Sequence, residues 1–279
     1  MSAAGQGEVL LRVRGLGKSY VQRREFTREK FQVHAFEGIE LAVQRGATFA
    51  IVGESGAGKS SLARCLALLE RPDCGEIWIE TKDVTKASRA ELFELRRKVQ
   101  LIFQDATAAL NGRFTAAEII AEPMRIQGLF GAAQRRERAM ELMEQVGLPL
   151  AGAKKLPREW SGGQRQRLAI ARALALEPSV LILDEALANL DLSNQEMILR
   201  LLADLQARRG LTYIYISHDL RLVALIADEI AVMHEGRIVE ESGAAEFFAQ
   251  PRNSYARDLI RAMPPLETIL RERLQEEPA

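Results

Sequence analysis

The chain has 279 residues, of which 47% are hydrophobic and 27% charged, as expected of a folded protein with a sizeable core. Its 38 basic and 38 acidic side chains balance, so the global charge gives no reason to expect a nucleic-acid partner. The two cysteines, Cys65 and Cys74, form neither a metal-binding spacing nor a disulfide framework, which predicts a reduced, cytosolic setting. We expect no signal peptide and no membrane-spanning segment, because no apolar run approaches the ~18 residues that a bilayer requires.

The first segment predicts an antiparallel β layer. Alternating apolar residues at 9–13 and 31–43 are typical of two strands, and we interpret the charged stretch at 22–30 as the hairpin loop between them. Gly46 then turns the chain into a short apolar run at 48–52, which is typical of a buried parallel strand.

The residues after this run fit the phosphate-loop pattern, in which two glycines flank four residues and Lys-Ser follows. The loop and its flank comprise Gly53, Glu54, Ser55, Gly56, Ala57, Gly58, Lys59, Ser60 and Ser61. Apolar residues at Leu62, Leu66 and Leu69 predict the helix that follows. Unpaired N–H groups and the positive end of that helix would face phosphates, with Lys59 on the β- and γ-phosphates and Ser60 on Mg²⁺. A glycine turn that matches the pattern by chance is the alternative.

Further along, strands alternate with helices, which predicts a mostly parallel sheet. Strand patterns lie at 76–80, 99–103, 180–183, 212–216 and, as a hairpin, 230–240; helical patterns lie at 90–98, 162–176, 195–208 and 220–226. The block 107–160 has helical periodicity and no strand signal, so we interpret it as a helical subdomain inserted in the α/β core. The arginines at 135–138 alternate with glutamates, which favours a solvated face over a nucleic-acid site.

The end of the chain predicts a helical extension. We place an ATP-binding domain at 8–250 and the extension at 251–279. Helical patterns at 245–249 and 255–263 are followed by an amphipathic stretch at 266–274. That last stretch either docks on its own domain or binds a partner.

Two carboxylates follow the apolar strand at 180–183. After a phosphate loop, such a pair has two roles: Asp184 reaches Mg²⁺ through the metal's water shell, and Glu185 acts as base for the attacking water. Without a phosphate loop, an Asp-Glu pair at this position would be weak evidence.

A second anion-binding helix terminus is predicted at Ser161, Gly162, Gly163 and Gln164. A single phosphate loop does not need a second terminus on its own chain, unless that terminus serves another subunit. At this point the sequence resembles the ATP-binding subunits of ABC transporters, whose signature motif Ser161–Gln164 matches. The resemblance covers about residues 8–250 and implies a P-loop NTPase fold with a mostly parallel core sheet, an antiparallel β subdomain and an inserted helical subdomain.

The resemblance also implies roles for six further positions: Tyr20 stacks on adenine, Gln104 senses Mg²⁺ and the helical subdomain, Asp184 is the Walker B aspartate, Glu185 is the catalytic glutamate, Asp191 belongs to the D-loop and His218 contacts the γ-phosphate. Outside this context Tyr20 could be a packing residue and His218 a structural one. His34 and His234 lack such context and are predicted to be surface residues. Trp160 replaces the more usual leucine before the signature and should pack in the same place.

Several stretches are similar to the oligopeptide, dipeptide and nickel importer ATPases: Gly53–Gly56, Phe103–Asp105, Ala109–Asn111, Ser161–Arg167 and Tyr255–Leu259. Gly112 departs from the proline usual there, and the tail lacks the cysteine cluster that some members carry. The resemblance implies ATP and Mg²⁺ as cofactors and a peripheral location on the cytoplasmic face of the inner membrane. Its implied partners are transmembrane permease subunits, a second ATPase subunit (identical or homologous) and, indirectly, a solute-binding protein. A soluble ABC ATPase of DNA repair or translation is the alternative, but the second cassette, long coiled coil or zinc insertion typical of those proteins is missing here.

Overall fold

The computed structural model describes residues 8–23 and 30–263. Its core is a six-stranded sheet whose strands are, in spatial order, β10 (Arg237–Gly243), β9 (Glu229–His234), β3 (Thr48–Val52), β8 (Thr212–Ser217), β7 (Val180–Asp184) and β6 (Val99–Ile102). From β9 to β6 each neighbouring pair is parallel, and β10 is antiparallel to β9. Every residue of β3, β7 and β8 is buried, which explains their nearly continuous apolar sequences.

A second, antiparallel sheet contains β1 (Val9–Arg23), β2 (Lys30–Gln44), β4 (Cys74–Ile79) and β5 (Lys82–Asp83) in the order β2-β1-β4-β5. The two strands β1 and β2 extend further into the charged stretch than predicted. They stay paired up to Arg23 and Lys30, with several shifts of register between Val13 and Ser19. The predicted hairpin loop at 24–29 lies outside the described residues. Together the two sheets confirm the predicted fold class.

Five helices pack on the core sheet: α1 (Lys59–Leu66), α2 (Arg89–Lys98), α6 (Gly162–Leu174), α7 (Leu192–Arg209) and α8 (Leu220–Ile226). Leu62 and Leu66 are buried in α1 as predicted. The prediction for Leu69 is wrong, since its side chain is 46% exposed. Leu68 has a left-handed backbone (φ 59°), so the helix has ended before Leu69 and the periodicity no longer directs that side chain inward.

Residues 107–160, all of which the structure describes at the backbone level, hold helices and turns but no strand. The helices are α3 (Ala106–Ala109), α4 (Ala116–Ile126) and α5 (Ala132–Gln145), followed by short 3₁₀ turns at Leu150–Gly152 and Pro157–Glu159. A capping box between Thr115 and Glu118 starts α4. Both α4 and α5 pack against α6, so this helical layer is attached to the helix that begins with the signature residues.

The described part of the extension is helical. It holds α9 (Ala244–Ala249) and α10 (Ser254–Arg261), whose buried residues Phe247 and Ala256 join the main hydrophobic core. The predicted amphipathic stretch at 266–274 lies outside the described residues. Across 8–23 and 30–263, no helix has both the length and the apolar character needed to cross a bilayer.

Candidate nucleotide-binding site

The phosphate loop joins β3 to α1 and is packed tightly against neighbouring backbone. Gly58, the residue before α1, has a left-handed backbone with φ 101°. A Cβ atom at this position would lie 2.2 Å from the Ala35 carbonyl oxygen of β2, so no other residue fits. The glycine that we assigned to a close approach of phosphate is therefore already required by the protein's own packing.

Lys59 is buried and binds the loop to which it belongs. Its Nζ donates to the carbonyl oxygens of Gly53 and Glu54, at 2.7 Å each. Burial lowers the pKa of Lys59, and the nearby carboxylates of Glu185 and Asp184 oppose this shift. The lysine thus fills the concave side of the loop while its charge faces two acidic side chains.

Ser60 and Asp184 meet where α1 begins and β7 ends. The Ser60 hydroxyl donates to Oδ1 of Asp184 at 3.1 Å. Burial raises the pKa of Asp184, and the bond from Ser60 opposes the shift. An aliphatic hydroxyl beside a carboxylate fits Mg²⁺, which takes few protein ligands and fills the rest of its octahedron with water and phosphate oxygens. This also suits the finding that no group of three or more His, Cys, Asp or Glu side chains is placed to hold a metal anywhere in the described residues.

Glu185 lies at the centre of three strand ends. Gln104 follows β6 and donates from Nε2 to Oε2 of Glu185 at 2.8 Å. His218 follows β8, and its Nδ1 lies 3.3 Å from Oε1. The carboxylate is 15% exposed and the imidazole 56%, so one side of the group is open to solvent.

The backbone of Glu185 is in an unusual conformation that fits this position. Its φ is +48°, in the left-handed region that non-glycine residues rarely adopt. The Glu185 N–H donates to Ile216 O at 2.9 Å and so continues the pairing of β7 with β8 beyond the last strand residue. Strain of this kind is concentrated at functional sites, where it directs a side chain that a relaxed strand would turn elsewhere.

Tyr20 is held on the outside of α1 by a small polar network. Its hydroxyl donates to Oε2 of Glu70 at 2.5 Å, and Glu70 pairs with Arg64 at 2.8 Å. Arg64 also donates to Oγ of Ser61 at 3.1 Å, which links the network to the first turn of α1. Sequence analysis missed Arg64 and Glu70; the spacing of Ser61 and Arg64, three residues apart on one helix, is the signal that could have suggested the first of them.

The signature residues cap their own helix. The Ser161 hydroxyl accepts from the Gln164 N–H at 3.3 Å, and Oε1 of Gln164 accepts from the Ser161 N–H at 3.0 Å. Gly162 and Ser161 are exposed, whereas Gly163 is buried. The end of α6 that carries the motif therefore faces outward.

The predicted D-loop is joined to this motif by a residue that sequence analysis missed. Asp191 caps α7 by accepting from the backbone N–H of Asn194 at 2.8 Å and from its Nδ2 at 2.7 Å. These bonds, the backbone N–H first, lower the pKa of Asp191. A Cβ atom at Gly163 would lie 2.1 Å from Oδ1 of Asn194, so the two segments are in direct contact.

Two predictions about side residues have different outcomes. Trp160 is buried and packs over Gly152, where a Cβ atom would lie 2.3 Å from its ring. His34 is exposed as predicted. The prediction for His234 is wrong: it is half-buried and its ring stacks on Tyr255 of α10, with centroids 3.9 Å apart.

Residues 36–188 match the family model described as ABC transporter. The chain belongs to this family, as an ATP-binding cassette. It is 41% identical over 268 residues to the dipeptide transport ATP-binding protein DppF of Haemophilus influenzae, which covers 94% of the cassette and 80% of the relative. It is 45% identical over 258 residues to the probable peptide ABC transporter ATP-binding protein y4tS of Sinorhizobium fredii, covering 92% and 73% of the two chains.

The same family relationship is visible in three dimensions. The cassette is similar, with a TM-score of 0.75 and 28% identity, to the dimeric post-hydrolysis structure of the ATP-binding cassette MJ0796 bound to ADP and Pi. The likeness covers 84% of this chain and 99% of that one. The cassette is thus an ABC ATPase that binds ATP. Since its relatives are named as transport proteins, the alternative of a DNA-repair or translation ATPase is not favoured.

Proposed function

We propose that this cassette is the ATP-hydrolysing subunit of a peptide importer and that it works on the cytoplasmic face of the inner membrane. The observation that carries the catalytic part is the convergence of Gln104 and His218 on Glu185, beside the contact of Ser60 with Asp184. Peptide as the solute is supported by the names of two relatives that match over 92–94% of the chain. A nickel chelate, the other solute class that we predicted, has no such support.

The nucleotide is bound mainly by α1 and the loop before it. The N–H groups from Ser55 to Ser61 and the Lys59 ammonium face the phosphates, while the Tyr20 ring stacks on adenine. Ser60 and Asp184 hold Mg²⁺, and Gln104 lies within reach of its water shell. When bound, the metal neutralises the charge on the β- and γ-phosphate oxygens.

Glu185 is the general base of the reaction. One oxygen of its carboxylate is held by the Gln104 amide, and the other lies beside His218 on the side open to solvent. The carboxylate orients the attacking water and accepts its proton, while the His218 imidazole donates to the γ-phosphate. Because Gln104 starts the segment that leads into the helical layer 107–160, a shift of that layer also moves the amide that orients the base.

A second cassette completes the site. Ser161 and Gly162 are exposed on the outward end of α6, where the N–H groups of the first turn are directed at a ligand outside the chain. In a head-to-tail pair, Ser161 and Gly163 of one cassette would close on the γ-phosphate held by the other, with Gln164 capping the same turn and Asp191 at the contact. The second cassette is either identical or homologous to this one.

The groove between the core and the helical layer is the docking site for the permease subunits. It has a volume of about 370 Å³ and is lined by Leu101 and Phe103 on one side and by Leu110 and Ile126 on the other. Phe103 and Ile126 are 41% and 59% exposed, an unusual state for large apolar side chains. The groove adjoins Gln104, so a helix bound there could transmit the motion of the cassette to the membrane subunits. In this arrangement 8–250 is the ATPase domain, 251–279 its extension, and a solute-binding protein acts through the permease.

Glu185→Gln tests the catalytic assignment. The amide keeps the shape of the side chain but cannot accept a proton, so hydrolysis should fall on the order of 10²-fold or more while ATP binding is retained. Glu196→Gln, on the exposed surface of α7 where Glu196 pairs with Arg200, is the matched control and should hydrolyse ATP normally. Near-normal turnover in Glu185→Gln would show that another group acts as the base.

The solute is tested on the assembled transporter. ATPase activity should rise when its solute-binding protein is loaded with peptide and should not rise with a nickel chelate. Copurification of the cassette with integral membrane subunits is expected; copurification with ribosomes or DNA would contradict the transport assignment.

A further inference from the structure

The C-terminal helix α10 reaches the phosphate loop through a single side chain. The Tyr255 hydroxyl accepts a hydrogen bond from the Glu54 backbone N–H at 3.0 Å, across 201 residues of sequence. The Tyr255 ring stacks on His234 at the end of β9, so both its face and its oxygen are held. Burial raises the pKa of Tyr255, which keeps the group a neutral hydroxyl.

The start of α10 is anchored firmly enough to fix the position of that hydroxyl. Glu240 in β10 is buried, and its carboxylate accepts from the backbone N–H groups of Arg252, at 3.0 and 3.1 Å, and Asn253, at 2.7 Å. Asn253 in turn accepts from the Tyr255 N–H at 2.8 Å. Hydrogen bonds from N–H groups to a buried carboxylate are among the stronger ones in proteins. Tyr255 is therefore one residue away from a rigid attachment to the core sheet.

The peptide groups of Glu54 are held from two directions. Its N–H is bound by Tyr255, and its carbonyl oxygen accepts from Nζ of Lys59 at 2.7 Å and, in a longer turn bond, from the Ala57 N–H at 3.3 Å. Lys59 cannot serve both this carbonyl and the β- and γ-phosphates, because a bound nucleotide requires the same ammonium protons. When Lys59 turns to the phosphates, the bond from Tyr255 is left to hold the N–H side of the loop in place.

We propose that Tyr255 is a positioning residue of the nucleotide site, which keeps the Glu54 end of the phosphate loop in its binding conformation while Lys59 exchanges carbonyl oxygens for phosphate. The proposal rests on the ATP-binding function proposed for this loop. It makes α10 a structural part of the ATP site rather than an appendage of it. Because Tyr255 contacts neither the reacting atoms nor Glu185, it should influence how tightly ATP is bound and not how fast bound ATP is hydrolysed.

Tyr255→Phe tests this, since it removes the hydroxyl and keeps the ring that stacks on His234. The dissociation constant for MgATP and the KM for ATP should both rise about two- to tenfold, as expected for the loss of one hydrogen bond. The kcat at saturating ATP should stay at the wild-type value. Tyr255→Ala, which also removes the stacking, should weaken binding at least as much.

Tyr213→Phe is the matched control. Tyr213 in β8 is buried, and its hydroxyl donates to Leu202 O at 2.8 Å, in the core. This variant also loses one hydroxyl and its hydrogen bond, so it should lower the melting temperature and leave ATP affinity unchanged. If Tyr255→Phe also melts at a lower temperature, the comparison still decides: a positioning role requires weaker ATP binding in Tyr255→Phe only.

Lys59→Ala separates the two levels of the proposal. It should abolish ATP binding; binding at the wild-type level would overturn the nucleotide site itself. If Lys59→Ala loses binding while folded Tyr255→Phe binds MgATP as tightly as wild type, the positioning role is overturned and the site remains. A fall in kcat with an unchanged dissociation constant in Tyr255→Phe would overturn it as well.

Discussion

The Asn194 side chain lies in the space that any side chain at position 163 would need. The Gly163 backbone has helical geometry, so the requirement for glycine comes from this contact and not from a left-handed φ. Asn194 is held in place by two bonds to Asp191, which prevents it from moving aside freely. The signature and the D-loop are therefore fitted to each other at the level of single atoms.

Gly163→Ala should destabilise the cassette by about 1–3 kcal/mol, the usual cost of overpacking a closed site. In a background of Asn194→Ala the same substitution should become stabilising by about 0.5–1 kcal/mol, because alanine is the better helix former once the clash is gone. Urea unfolding of the two single variants and the double variant measures the coupling. Equal effects of Gly163→Ala in both backgrounds would show that the contact with Asn194 does not decide the residue at 163.

The catalytic residues themselves depend on a contrast of exposure within one cluster. Glu185 is mostly covered and His218 mostly open, although the two side chains lie 3.3 Å apart. Burial around Asp184 and Lys59 shifts both pKa values towards the neutral forms, and each group opposes the shift of the other through its charge. Removing either charge should therefore disturb the other as well as the ligand that it binds.

Among the elements, α10 depends on one buried carboxylate for its attachment. Two N–H groups at its start donate to Glu240, and no side chain of similar length could accept both with a charged group except aspartate or glutamate. The helix has only eight residues, too few to be stable without tertiary contacts. Its order should therefore follow that of the Glu240 contact.

Glu240→Gln should loosen α10 without unfolding the protein. One amide oxygen replaces two carboxylate oxygens, so the N–H groups of Arg252 and Asn253 lose part of their acceptor capacity. Hydrogen exchange at 252–261 should become at least several-fold faster, while exchange in β3, β7 and β8 stays slow. Glu246→Gln, at an exposed surface pair with Arg252, is the control and should leave exchange in α10 near the wild-type rate. Unchanged exchange at 252–261 in Glu240→Gln would show that the hydrophobic contacts of Ala256 suffice.

Helix α6 connects the two parts of the cassette that are expected to move. Its first turn carries the signature, and its length packs on α4 and α5. Arg172, in its last turn, pairs with Glu122 of α4 at 3.3 Å. A displacement of the helical layer thus carries the signature with it as one body.

For the whole molecule, the outward-facing signature means that one chain holds two half-sites. In the Glu185→Gln background, which should hold ATP without hydrolysing it, we expect a stable dimer in the presence of MgATP. Adding Ser161→Arg should leave ATP binding intact but prevent the dimer, because the long cationic side chain fills the space in which the γ-phosphate of the facing cassette must lie. Ala133→Arg, at an exposed position of α5, is the control and should still form the dimer.

Molecular mass measured by light scattering with and without MgATP decides between these outcomes. A closed dimer of the Ser161→Arg variant would refute the composite site. If the Glu185→Gln protein stays monomeric but pairs with a second, homologous cassette, the partner is a different chain and the half-site arrangement holds for the heterodimer.

Much of the site was predictable because its motifs are contiguous. The phosphate loop, the apolar strand before Asp184 and the Ser161–Gln164 turn each combine a local backbone pattern with the chemical groups that it presents. The alternation of strands and helices likewise predicted the parallel sheet, and the lack of strand signal at 107–160 predicted the helical layer. The assignments of individual residues to ATP, Mg²⁺ and the catalytic roles stay predictions, now supported by the convergence of Gln104, Glu185 and His218.

The ends of elements and the long-range contacts were not predictable in the same way. Periodicity placed Leu69 in the core, but the left-handed Leu68 had already ended α1. Nothing local distinguishes His234 from a surface histidine; its ring is covered only because α10 folds back over the end of β9.

The amino-acid sequence alone was enough to establish the chemistry of this cassette, because the groups that bind and cleave ATP lie in short segments whose local conformation their own residues impose. The tertiary structure decided which distant residues support those segments: Glu70 for Tyr20, Asn194 for Gly163 and Tyr255 for the phosphate loop. These partners depend on how whole sheets and helices pack, and an ordinary Asn, Glu or Tyr carries no local pattern that reveals its distant contact.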